Sequence, residues 1–189
     1  MIAYRQLPVM VIIMLFIHTV ALADNLQDGY SGIKWGTDIA SLTDFQKVGS
    51  KDKVDYYIKP GVVHTFDNID IPLVTYGFYE GRFFSVFAHI DTMEVFAQMK
   101  YYIQERYGIP VIKYTSETGE PSTYRWKKEK LKIKLKVQKY TGKMKLAIYY
   151  TPISKMINEP QQDKYNEAGI KFLPKHKPIT PTHVPLLEF

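Results

Sequence analysis

The sequence predicts an α+β fold, an antiparallel sheet packed by helices, and three observations predict it. Leu131, Ile133, Leu135 and Val137 alternate strictly with lysines, the period of a strand. Residues 73–79 and 82–90 flank Glu80-Gly81, where Gly81 supplies the positive φ of a tight hairpin turn. A single well-marked helix lies between these features, at about 92–107. Composition agrees: 2 Trp, 15 Tyr and 10 Phe lean toward strands, and 46% hydrophobic with 23% charged residues excludes wholesale disorder.

Residues 1–23 are set aside as an export signal. Arg5 is the only charge before Asp24, an apolar run fills 9–17, and Ala21-Leu22-Ala23 fits a small-residue cleavage site. The run is short for the roughly 20 residues of a membrane span. The expected product is 24–189, exported to a periplasm or outside the cell, with no transmembrane segment after cleavage. The absence of cysteine from all 189 residues excludes disulfides, thiolate metal sites, a cysteine nucleophile and a lipidated N-terminal cysteine.

The elements follow in order. Thr37 is the expected N-cap of a short helix at about 38–46, with Ile39 and Leu42 on one face. Residues 49–53 read as a polar turn and 54–58 as a strand that stops at Pro60-Gly61. A second strand covers 62–66. In the 73–90 hairpin, alternation places Phe84, Val86, Ala88 and Ile90 on one face and Phe83, Ser85, Phe87 and His89 on the other. Asp91 and Glu94 have the spacing of a capping box, Phe96, Met99 and Ile103 form the helix's apolar stripe, and Gly108 with Pro110 ends it. Strands are expected at 111–114, from 122, at 131–137 and at 143–151, the last two joined by Thr141-Gly142.

This gives an α+β domain at 24–151 and a Pro-rich tail at 152–189. The tail holds Pro152, Pro160, Pro174, Pro178, Pro181 and Pro185 of the 11 prolines. Proline fixes φ and lacks a donor, so 174–185 is expected to be extended, either packed on the domain or mobile. Within the domain, 33–90 and 91–151 share an order of helix, strands and hairpin, compatible with two tandem helix-plus-strand repeats.

The run GIKWGTD at 32–38, YGFYEGRFFSVF at 76–87 and RYGIP at 106–110 together resemble a GIKWGT-type family of exported bacterial proteins. The likeness covers about 30–151 and its motifs are structural: turn glycines, aromatics and a helix stop. The helix-then-sheet order is also similar to the β-lactamase inhibitor protein and to the outer-membrane assembly lipoprotein BamE. That similarity implies a protein-binding module rather than an enzyme, although a shared fold alone transfers no function.

No nucleotide-binding loop, zincin motif or nucleophile elbow occurs, and no cofactor is indicated. His64, His89, His176 and His183 do not stand at metal-ligand spacing. Asp67 and Asp70 could pair as acid and base but fit a polar loop better. Trp35 and Trp126 fit core or rim packing better than a ligand platform. One feature stands above this background: Lys130, Lys132, Lys134 and Lys136 share a side, with Lys143 and Lys145 at matching parity on the next strand. Such lysines either guard an exposed strand against edge pairing or form an anion-binding face. The expected function is therefore an exported, non-enzymatic binding module whose lysine face meets an acidic protein or anionic envelope component, not nucleic acid. The alternative is an envelope assembly accessory that docks through its Pro-rich tail.

Overall fold

The computed structural model describes residues 26–72, 74–114, 121–138, 141–157, 161, 162, 164, 165, 168 and 182–187. The expected export signal and most of the expected tail lie outside the described residues. The described strands are β1 (Gly29–Tyr30), β2 (Ile33–Lys34), β3 (Gln46–Lys51), β4 (Val54–Ile58), β5 (Val62–Phe66), β6 (Ile69–Ile71), β7 (Val74–Tyr79) and β8 (Arg82–Ile90). After the main helix α1 (Met93–Tyr107) come β9 (Val111–Tyr114), β10 (Pro121–Lys128), β11 (Leu131–Gln138) and β12 (Lys143–Tyr150). One helical turn, α2 (Thr151–Ser154), follows, and β13 (Thr182–Pro185) closes the list.

The architecture is sheet-dominated, with one main helix. Eight strands form one antiparallel sheet in the order β3-β4-β7-β8-β12-β11-β10-β9. Each half of the domain supplies four strands, entered from an outer edge and ending at the centre, where β8 pairs with β12. The 82–90 strand is the pivot: Glu80 and Gly81 both hold positive φ (48° and 80°), the two-residue turn that matches strand twist.

α1 packs on one face of this sheet through Val95, Phe96, Met99 and Ile103. They join Tyr76, Phe78, Phe83, Val86, Ile133, Leu135, Leu146 and Ile148 in the main core. The β1–β2 ribbon adds Tyr30 and Ile33, and Trp35 stacks on Phe83 at 4.6 Å while its Nε1 donates to the Leu26 carbonyl at 2.7 Å. Trp126 is likewise a core residue, its Nε1 donating to the Gly108 carbonyl at 2.8 Å. A three-stranded sheet, β13-β5-β6, flanks the helix. There β13 runs parallel to β5, so the end of the Pro-rich tail is an edge strand on the domain, and Leu186 and Leu187 beyond it are buried. Proline tolerates that place because an edge strand need not donate on its outer side.

The opposite face is covered over β4, β7, β8 and β12. Val54, Tyr56, Phe84, Phe87 and Tyr149 form a second core there with Ile157 and Tyr165. The chain after β12 is anchored by hydrogen bonds from Tyr56 Oη to the Tyr165 carbonyl (2.8 Å) and from Tyr149 Oη to the Gln162 carbonyl (3.1 Å).

Several sequence expectations are corrected. The helix expected at about 38–46 is only a 3₁₀ turn, Ile39–Ser41. Two apolar residues three apart fit a 3₁₀ turn as well as an α-helix, because residues i and i+3 eclipse in it. Its cap is Asp38, whose Oδ1 accepts from Ala40 N at 2.9 Å, while Thr37 Oγ1 donates to the Lys34 carbonyl. The N-cap of α1 is Thr92, not Asp91, with Oγ1 accepting from Val95 N at 3.3 Å. Residues 49–51 belong to β3 rather than a turn. Phe83 and Phe84 exchange faces: β7 and β8 shift register between Gly77 and Phe78, so Phe83 stands opposite Phe78 and Phe84 is the extra residue of a bulge. Gly77 sits at this point because a Cβ there would strike Ser85 Oγ and approach Phe87 to 2.9 Å.

Candidate functional site

The six lysines singled out in the sequence fall into three environments. Lys130 and Lys143 are exposed, Lys132 and Lys136 are half-buried, and Lys134 and Lys145 are buried at 4% and 7% exposure. Of the six, Lys130 and Lys143 alone are exposed. Lys130 lies in the turn before β11, where its carbonyl accepts from Thr151 N at 2.6 Å. Lys132 Nζ donates to Gln162 Oε1. The ammonium groups of Lys132 and Lys134 lie 5.3 and 5.8 Å from the Tyr149 ring centroid, where the ring's quadrupole attracts cations. Their alkyl stems cover apolar surface on the way, which is how a lysine is buried on a sheet.

Strand order decides between the two readings of these lysines. β11 lies between β10 and β12, and β12 between β11 and β8, so neither is an edge. The edges are β3 and β9. Guarding an edge therefore does not account for Lys132, Lys134, Lys136, Lys143 or Lys145.

Register then brings in basic residues that the alternation alone did not reveal. Lys132 stands directly opposite Lys127, and Lys134 opposite Arg125. Lys136 stands opposite Lys145, which is itself opposite His89. On the other side Lys136 faces Thr123, and Thr123 faces Lys113. One cross-strand row thus reads Lys113, Thr123, Lys136, Lys145, His89. With strands about 4.8 Å apart the row spans about 19 Å. Like charges directly opposite each other are destabilising, by about 0.2–1 kcal/mol per pair. The row is closed at one end by Asp91, whose Oδ1 lies 3.3 Å from His89 Nε2. Lys127, Arg125 and Lys113 were missed because each is an ordinary surface residue until β10 and β9 are placed beside β11.

The other candidates part company. Asp67 lies in the β5–β6 turn, whereas Asp70 Oδ1 is 3.4 Å from His183 Nδ1. His176 lies outside the described residues. His64, unremarkable in the sequence, is 3% exposed and sits between two phenols: Nδ1 is 3.2 Å from Tyr30 Oη and Nε2 is 3.0 Å from Tyr76 Oη. Burial pushes its pKa down to about 4, the charge of Lys59 acts the same way, and a hydrogen bond with the Pro185 backbone opposes them. This His–Tyr cluster is closed under β13 and joins the terminal strand to the core. Among the described residues no group of three or more His, Cys, Asp or Glu could hold a metal ion, and no helix is long and apolar enough to cross a membrane.

Comparison of the chain with protein-family models, with curated proteins and with solved structures finds no match in any of the three.

Proposed function

We propose that the protein is an exported, non-enzymatic binding module that takes an acidic partner on the β9–β12 face. One observation carries this reading: basic side chains gather across the interior strands of one sheet face, where edge protection does not account for them and where their charges add to one positive potential. A carboxylate-rich partner lying across the row meets that potential. It engages Lys127, Lys136 and Lys143 at the surface, with Lys134 and Lys145 strengthening the field from beneath. Docking through the Pro-rich tail is the weaker alternative, because the tail's far end already serves as β13.

The test is binding of fluorescent polyglutamate to the full chain at low and moderate salt. Lys127→Glu/Lys136→Glu/Lys143→Glu serves as the control, because none of these side chains is buried. The expected result is binding that falls steeply with salt and weakens about tenfold or more in the variant. Equal affinity of the two chains would overturn the reading. Phosphatidylglycerol vesicles, run in parallel, distinguish an acidic polypeptide from an anionic lipid surface.

A further inference from the structure

On the other side of the molecule, a cleft of about 730 Å³ opens between α1, the β5–β6 turn and the chain end after β13. Its helix wall is made by Gln98, Tyr101, Tyr102 and Glu105, which recur at i, i+3, i+4 and i+7 and so share one side of α1. Asp67 and Asn68 also line it, in a tight turn where both residues have positive φ (49° and 62°). The floor is apolar: Phe66 packs edge-on to Tyr102 at 5.5 Å, with Pro185 and Leu187 beside them. The volume falls within the range of small-ligand sites.

The charge of this lining is opposite to that of the chain. Among the described residues that line the cleft there are two carboxylates, Asp67 and Glu105, and no lysine or arginine, although the chain as a whole is +6. Acceptors are in excess. Gln98, which lines the cleft, has an Oε1 shut off from solvent with no hydrogen-bond partner among the described residues. The Tyr101 hydroxyl donates to Glu105 on the exposed rim. The Tyr102 ring already carries a cation, the Arg106 guanidinium 4.1 Å from its centroid, whereas the Tyr101 ring is 64% exposed.

We infer that this cleft binds an organic cation of the alkylammonium type, its charged nitrogen between Asp67 and Glu105 and its aliphatic body over Tyr101 and the Phe66 floor. The carboxylates supply charge-assisted hydrogen bonds, and the aromatic rings attract both the cation and its methylene groups. An anionic ligand is disfavoured by both carboxylates. A neutral ligand leaves their charge uncompensated as the cleft dries. The inference is independent of the lysine face.

Calorimetric titration of the full chain with spermidine, and separately with a blocked Lys-Leu-Lys tripeptide, tests it. The two probes distinguish a free amine from a lysine-bearing peptide. Saturable binding of at least one probe is expected. It should weaken about tenfold in Asp67→Asn/Glu105→Gln, where both side chains are exposed, and should persist in Lys127→Glu/Lys136→Glu/Lys143→Glu. Three results would each overturn the inference: no saturable binding of either probe, unchanged affinity in the carboxamide variant, or equal affinity for the uncharged 1,6-hexanediol.

Discussion

On the face away from α1, β4 and β8 present Tyr56, Phe84 and Phe87, whereas β10 and β11 present Arg125, Lys127, Lys132, Lys134 and Lys136. Both regions belong to one sheet, and both obey period-two alternation. The aromatic half is buried beneath the chain that follows β12, through Ile157 and Tyr165. The cationic half is not equivalent: like charges stand opposite each other across its strands, and Lys132 and Lys134 lie against the Tyr149 ring at the boundary. Alternation therefore says that a face exists. What covers it is decided by which strands become neighbours.

The largest effect that would break this comparison lies at the bulge. Phe83 and Phe84 are adjacent, fully buried, and on opposite faces. If both faces of this half are true core, Phe83→Ala and Phe84→Ala each cost about 3–5 kcal/mol in urea unfolding. A small loss for Phe84→Ala would show that the second face is only loosely covered.

Acid comes next. The folded pKa of His64, about 4, lies below the ordinary 6.5. Such a group keeps its full contribution above pH 6.5 and loses it as pH falls through 6.5 toward 4, because the unfolded chain takes up the proton first. The loss is about 3 kcal/mol by linkage, and His64→Gln should flatten it. Stability measured at pH 7 and pH 4 checks this, and a slope unchanged in the variant would place the acid sensitivity elsewhere.

Gly77→Ala is expected to cost about 1–3 kcal/mol, since its Cβ would strike Ser85 Oγ and crowd Phe87 within the aromatic half. The smallest effect belongs to the cationic half. Lys136→Met should be neutral or stabilising by up to about 1 kcal/mol, because it removes one member of the opposed Lys136–Lys145 pair. A clear destabilisation would mean that Lys136 holds the fold together.

These contrasts also mark what was legible in the sequence. The 82–90 strand, the Gly108 stop and the β11 alternation were readable because each is fixed by a few neighbouring residues. The Phe83/Phe84 exchange was not, because a bulge depends on the partner strand. Nor was the pairing of β13 with β5, which joins residues more than a hundred positions apart. The lysines were visible, but their interior position was not, since strand order is a long-range property. Only the cleft left an unread local signal, the helical spacing of Gln98, Tyr101, Tyr102 and Glu105.

Urea unfolding of the full chain with and without polyglutamate, beside the Lys127→Glu/Lys136→Glu/Lys143→Glu variant, tests most directly whether the cationic half serves a partner. A ligand that binds only the folded state at about 100 times its dissociation constant adds about 2.7 kcal/mol. The account predicts a gain of that order in the wild-type chain and about half of it or less in the variant. An equal gain in both, or none in the wild type, would contradict it.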